Sequence, residues 1–187
     1  MKKIVFSLLI IFCAYCQPLF SQKFPLELNG FKIGDTGQEI CGRANEILAF
    51  TDAGFCTNDW IQFHCGEFPE LPADEWNIGF YENKCFRIEL KLNQNGDNFE
   101  AYDNAIKYLK KKYKKPAKIN DNGFMKQSMW FIKDKKNKMN YTITAQIDIV
   151  PGENFKIFPR IIIQNETVNN EIISNYQKMS DDLNKKK

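Results

Sequence analysis

The sequence predicts an α+β fold, an antiparallel sheet with helices packed on one face. Three observations predict it. Phe86, Ile88, Leu90 and Leu92 alternate with Arg87, Glu89 and Lys91, and Ile143, Ala145, Ile147 and Ile149 alternate with Thr144, Gln146 and Asp148, the period-two mark of half-buried strands. Phe99, Tyr102, Ile106, Leu109 and Tyr113 recur at helical spacing on one face of a lysine-rich segment. The order of elements is helix and three strands, the same again, then a last helix, an α-β-β-β pseudo-duplication whose halves open at Asp35 and Asp97.

In chain order, Asp35 or Thr36 caps a first helix over 35–49. Gln38 and Glu39 stand where a capping box needs them, and Ile40, Ala44, Ile47 and Leu48 form its inner stripe. Trp60 to Cys65 reads as a strand, closed by Pro69 and Pro72. Trp76 to Tyr81 and Lys84 to Leu92 make a hairpin about Glu82-Asn83. The lysine-rich helix opens with Asp97 and Glu100 at its positive end and stops before Pro116. Strands follow at Ser128–Ile132, Asn140–Val150 and Lys156–Gln164. A final helix over 168–183 carries Ile172, Ile173, Tyr176 and Leu183. A helix opened by Gly34 ahead of three strands resembles small exported α+β modules of outer-membrane assembly factors and of proteinaceous enzyme inhibitors. The likeness is one of order and transfers no residue role.

The opening reads as a removable secretion signal. Lys2 and Lys3 precede an apolar run from Ile4 to Ala14, shorter than the ~20 residues that span a bilayer. Leu19, Phe20 and Ser21 place cleavage before Gln22 or Lys23. Cys13 and Cys16 follow Phe12 and Tyr15, where a lipoprotein signal carries a small residue, so cleavage is favoured over a lipid anchor. The organisation expected is a signal peptide over 1–22, one α+β domain over 23–184 and a basic tail over 185–187. Such a chain is periplasmic or secreted.

Charge is unevenly spread. Residues 23–106 hold 15 acidic and 6 basic side chains, whereas residues 107–138 hold 12 lysines against Asp121 and Asp134. Within the second block Lys107, Lys110, Lys111, Lys112, Lys114 and Lys115 are the candidate surface for an anionic partner, with Tyr108, Tyr113, Phe124 and Trp130 interleaved. Arginine, the residue of bidentate phosphate recognition, is missing from the block, which argues against nucleic acid and leaves a solvated helix face as the competing reading.

Cys41, Cys56, Cys65 and Cys85 remain after the signal, an even number suited to two disulfides in an oxidising compartment. A first helix antiparallel to the first strand pairs Cys41 with Cys65 and Cys56 with Cys85, each bridge stabilising by roughly 3–4 kcal/mol through the unfolded chain. Zinc is disfavoured, since no C-x2-C pair occurs and His64 and Cys65 are neighbours that would point apart on a strand.

Enzyme signatures are missing: no G-x-S-x-G, H-E-x-x-H, Walker loop or G-x-G-x-x-G occurs, and no motif implies a cofactor or a metal. Glu67, Glu70, Asp74 and Glu75 are the one acidic cluster that could serve a carboxylate hydrolase. The sequence therefore favours an exported non-catalytic protein that binds a partner, an envelope protein or an anionic surface. A small secreted hydrolase is the alternative.

Overall fold

The computed structural model describes residues 26–28, 30–47, 59–64, 71, 73–92, 98–150 and 156–185. The secretion signal, Cys56, Cys65, Glu67 and Glu70 lie outside these residues.

The fold is α+β. A two-residue hairpin, β1 (Glu27–Leu28) and β2 (Phe31–Lys32), leads into helix α1 (Gly37–Ile47). Then come β3 (Trp60–His64), β4 (Ala73–Tyr81), β5 (Lys84–Leu92) and helix α2 (Asn98–Tyr113). The second half is β6 (Lys118–Asp121), β7 (Met125–Asp134), β8 (Met139–Val150) and β9 (Lys156–Asn165), running directly into α3 (Glu166–Lys185). The seven longer strands form one antiparallel sheet in the order β3-β4-β5-β9-β8-β7-β6. Two meanders, β3-β4-β5 and β7-β8-β9, thus meet through their third strands.

Local chemistry starts each element. The reciprocal capping box forms at Thr36: its main-chain N–H donates to Glu39 Oε2 at 2.7 Å, and the Glu39 N–H donates to Thr36 Oγ1 at 3.2 Å. Asp35 is taken by Arg43 at 2.8 Å, and Arg43 also donates to the Gly30 carbonyl, which leaves the cap to Thr36. Gly34, at φ 97°, donates to the Cys85 carbonyl at 2.7 Å, a left-handed turn that only glycine makes without strain. Glu82 and Asn83, at φ 49° and 59°, form the β4–β5 turn.

One face of the sheet carries the core. Ile61, Ile78, Ile88, Ile163, Ile143 and Trp130 are buried in one row and Phe63, Trp76, Leu90, Ile161 and Ala145 in the next. Phe31 lies against Phe63 and Trp76, with ring centroids 6.0 and 5.0 Å away. Ile40 and Ala44 of α1, with Tyr102, Ala105 and Leu109 of α2, close this core.

Three expectations need correction, and two elements were missed. Phe86 does not alternate inward: between Gly79↔Arg87 and Phe80↔Cys85 the register shifts, Phe86 becomes the extra residue of a bulge, and Cys85 takes the buried place. Phe99, in the first turn of α2, is exposed, and Ala105 fills the contact with the sheet. The last helix is not a core helix: α3 has no buried residue, so the helices on the core face are α1 and α2. Strand β6 and the β1–β2 hairpin were not foreseen, being too short to show a period.

Candidate interaction surface

Alternation sends every second strand residue to the opposite face, which neither α1 nor α2 covers. Register aligns these residues in rows. One row runs Glu75 (β4), Lys91 (β5), Arg160 (β9), Gln146 (β8), Gln127 (β7) and Asn120 (β6). The next runs Gln62, Asn77, Glu89, Ile162, Thr144, Met129 and Lys118.

The polar groups are joined. Arg87 donates to Glu89 at 2.8 Å and to Gln164 at 2.6 Å. Arg160 donates to the other Glu89 oxygen at 3.1 Å and to Asp148 at 2.7 Å. Gln146 donates to Asp148 at 2.7 Å, Gln127 to Gln146 at 2.8 Å, and Asn120 to Gln127 at 3.1 Å. A continuous hydrogen-bonded ladder therefore crosses five strands from Arg87 to Asn120. Beside it, Lys91 donates to Glu75 at 2.5 Å and Asn77 donates to the same oxygen at 2.7 Å.

Cationic neighbours set the charge state of Glu89 and Glu75. Burial pushes the Glu89 carboxyl up, but the hydrogen bonds and charges of Arg87 and Arg160 outweigh burial and hold it below the ordinary glutamate value. Glu75 follows the same balance, with Lys91 and Asn77 as the groups that win. These carboxylates are fixed as anions, each matched by a cation. None is poised to carry a proton near neutral pH.

Aromatic and sulfur-bearing side chains flank the ladder. Trp60 is 42% exposed on β3, and its ring and that of Phe86 sit where a Cβ on Gly79 would be, at 3.2 and 3.1 Å. Phe131 on β7 is 54% exposed, and Phe158 on β9 is exposed at the far end of the row through Asp148. Aromatic residues, methionine and arginine are the types enriched in protein interfaces.

The six lysines expected to bind an anion have separate places. Lys107, Lys110, Lys111 and Lys115 are exposed around α2, on the side of the molecule away from the open sheet face. Lys112 donates to the Glu27 carbonyl at 3.1 Å and lies 5.9 and 5.7 Å from the ring centres of Tyr108 and Tyr113. Lys114, at φ 66°, ends α2 by donating its N–H to the Lys110 carbonyl at 2.8 Å. Of the interleaved aromatics Trp130 is in the core, Tyr108 and Tyr113 are half-buried, and only Phe124 is exposed, so no row of stacking rings exists here.

Asp74 and Glu75 of the acidic cluster are half-buried neighbours on β4, where a register shift falls between Ala73↔Leu92 and Glu75↔Lys91, and Glu75 pairs with Lys91 beside the ladder. Among the described residues no group of His, Cys, Asp and Glu could hold a metal. Each expected disulfide joins a described cysteine, Cys41 or Cys85, to one outside the described residues. The Cys85 thiol is buried, 3.7 Å from the Arg87 carbonyl, and burial pushes it up to about 12.

Sequence reasoning missed the ladder. Its signal was present in the polar members of the alternating strands, but joining them requires the cross-strand register.

The chain matches no protein-family model, and no curated protein or solved structure matches it either. Among the described residues no helix is long and apolar enough to cross a membrane.

Proposed function

We propose that this chain is an exported, non-catalytic binding protein of the cell envelope or periplasm, and that it holds a protein partner on the open face of its sheet. The observation that carries the reading is the ladder from Arg87 to Asn120, whose side chains are already fixed in one geometry before anything binds. A preorganised polar surface spends little conformational entropy on association. Trp60, Phe131 and Phe158 beside it offer the apolar anchors on which interface energy concentrates. The leader at Lys2–Ala14 supports export.

The hydrolase alternative fares less well. A carboxylate hydrolase needs one acid with a raised pKa beside one that stays ionised. Of the expected cluster Glu67 and Glu70 lie outside the described residues, and Glu75 is held low by Lys91 and Asn77, the opposite of what a catalytic acid needs.

Site-specific photo-crosslinking in intact cells tests the proposal. A photoreactive side chain at position 131 or 158 should yield one discrete protein adduct in the envelope fraction, and one at position 111 should not. Adducts that form only from position 111 would move the binding surface to α2. The absence of any adduct from the sheet, or a protein retained in the cytoplasm with its leader intact, would overturn the reading.

A further inference from the structure

The end of the sheet where β7 turns into β8 gathers lysines from separate stretches of chain. The Trp130 indole donates to the Lys114 carbonyl at 3.0 Å, and the Ala117 N–H donates to the Met129 carbonyl at 2.8 Å, so Lys114, Lys115 and Lys118 lie along β7. From Trp130 the strand runs roughly 13 Å further to Asp134. Lys133 stands just before its end, and the turn beyond carries Lys135, Lys136 and Lys138. Pairing with β6 stops at Met129, so the hairpin projects past the edge strand. All seven lysines are exposed.

Their charge is not answered within the fold. The cations of the open sheet face are paired, Arg87 and Arg160 with Glu89, Arg160 with Asp148 and Lys91 with Glu75. Among the described residues none of the seven lysines is in an ion pair. Asp134, the acid of this hairpin, is buried. Its oxygens accept from the Lys136 and Asn137 N–H groups and from the Asn137 amide at 3.0, 3.2 and 2.7 Å. Glu166 opens α3 nearby, where the Asn140 N–H donates to Thr167 Oγ1 at 3.0 Å. Seven lysines against these two acids leave a net charge of +5. Lys114 and Lys138 moreover hold left-handed turns, at φ 66° and 55°, which glycine or asparagine would make at less cost.

We infer that this end of the molecule docks on the surface of an anionic phospholipid bilayer. The charge names an anionic partner, and three features choose a bilayer. A projecting hairpin beside a helix end is a convex shape, suited to a plane. Residues 107–138 hold no arginine. Lysine, a compact charge on a flexible stem, follows mobile headgroups, whereas the fixed phosphates of a nucleic acid are gripped by bidentate arginine. Lysine is also depleted from protein interfaces, and residues 133–138 include no aromatic side chain or methionine to anchor one. Each lysine held near an anionic leaflet strengthens binding by about fivefold. The inference does not depend on the partner proposed for the open sheet face.

Co-sedimentation of the purified protein with lipid vesicles is the test. Binding is expected to vesicles of phosphatidylcholine mixed with phosphatidylglycerol, falling steeply as salt rises, and not to vesicles of phosphatidylcholine alone. Lys133→Gln, Lys135→Gln, Lys136→Gln and Lys138→Gln together should weaken it by about a hundredfold or more, with the denaturation midpoint unchanged. Equal binding to both kinds of vesicle would show that an apolar segment makes the contact, and overturns the inference. So does a fourfold variant that binds as the parent does. A protein that ignores both vesicles overturns it as well, including one that instead binds soluble polyglutamate.

Discussion

The indole Nε1 of Trp130 donates to the main-chain carbonyl of Lys114 at 3.0 Å, fastening the end of α2 to the centre of β7. Trp130 is in the core and Lys114 is in the left-handed region, so one bond satisfies both a buried donor and a helix-terminal carbonyl. Trp130→Phe removes the bond and part of the packing, and should cost about 2 kcal/mol. Lys114→Gly removes the strain of a positive φ and should stabilise by up to about 1 kcal/mol. Urea denaturation of the two variants measures both.

Glu89 and Glu75 predict the acid limit of the fold. Both carboxyls are held below 4.5 in the folded protein by their cationic partners. A lowered folded value contributes stability that is full above 4.5 and is lost as pH falls through the lower folded value. Stability should therefore decline below about pH 4.5, and Glu89→Gln with Glu75→Gln should flatten that decline. Glu89→Gln should cost roughly 2 kcal/mol at pH 7, because two half-buried guanidinium groups lose their shared anion. Denaturant midpoints taken from pH 3 to pH 7 check the sign and the slope.

Gly79 is fixed by its neighbours. A methyl group there would stand 3.1 Å from Phe86 and 3.2 Å from Trp60, tighter than ordinary van der Waals contact. Gly79→Ala should destabilise by about 1–3 kcal/mol, and Trp60→Ala in the same chain should recover part of the loss. A double-mutant cycle gives the coupling.

Cys85 should be inert as a thiol. It is 2% exposed and burial pushes it up to about 12, so in the reduced protein iodoacetamide at pH 8 should label it no faster than the strand opens. Mass spectrometry of labelled peptides, with and without prior reduction, measures this and also tests the proposed bridges of Cys41 to Cys65 and Cys56 to Cys85.

Elements with a strong period were legible. The runs at 86–92 and 143–149 announced β5 and β8, and Thr36 with Glu39 announced the start of α1, because each signal is local. Phe86 misled because a bulge shifts the face of one residue without disturbing the composition around it. Ile172, Tyr176 and Leu183 marked a helical face in the sequence but not its exposure, because periodicity reports a face, not what covers it. Lys112 and Lys114 looked like neighbours in a charge block, yet one reaches the Glu27 carbonyl and the other turns the chain, roles set by φ and by distant backbone. The ladder was hidden for the same reason: Arg87, Asp148 and Arg160 belong to three strands, and only their pairing brings them together.

No residue separates β9 from α3. Asn165 is the last of the strand and the cap of the helix, its side-chain oxygen accepting from the N–H groups of Thr167 and Val168 at 3.1 and 3.3 Å while it is itself buried. A hinge needs a few freely rotating backbone torsions, and this junction has none to give. The terminal helix is therefore a fixed outrigger whose bearing is dictated by the central strand, and whatever grips its tip inherits a set angle to the whole sheet.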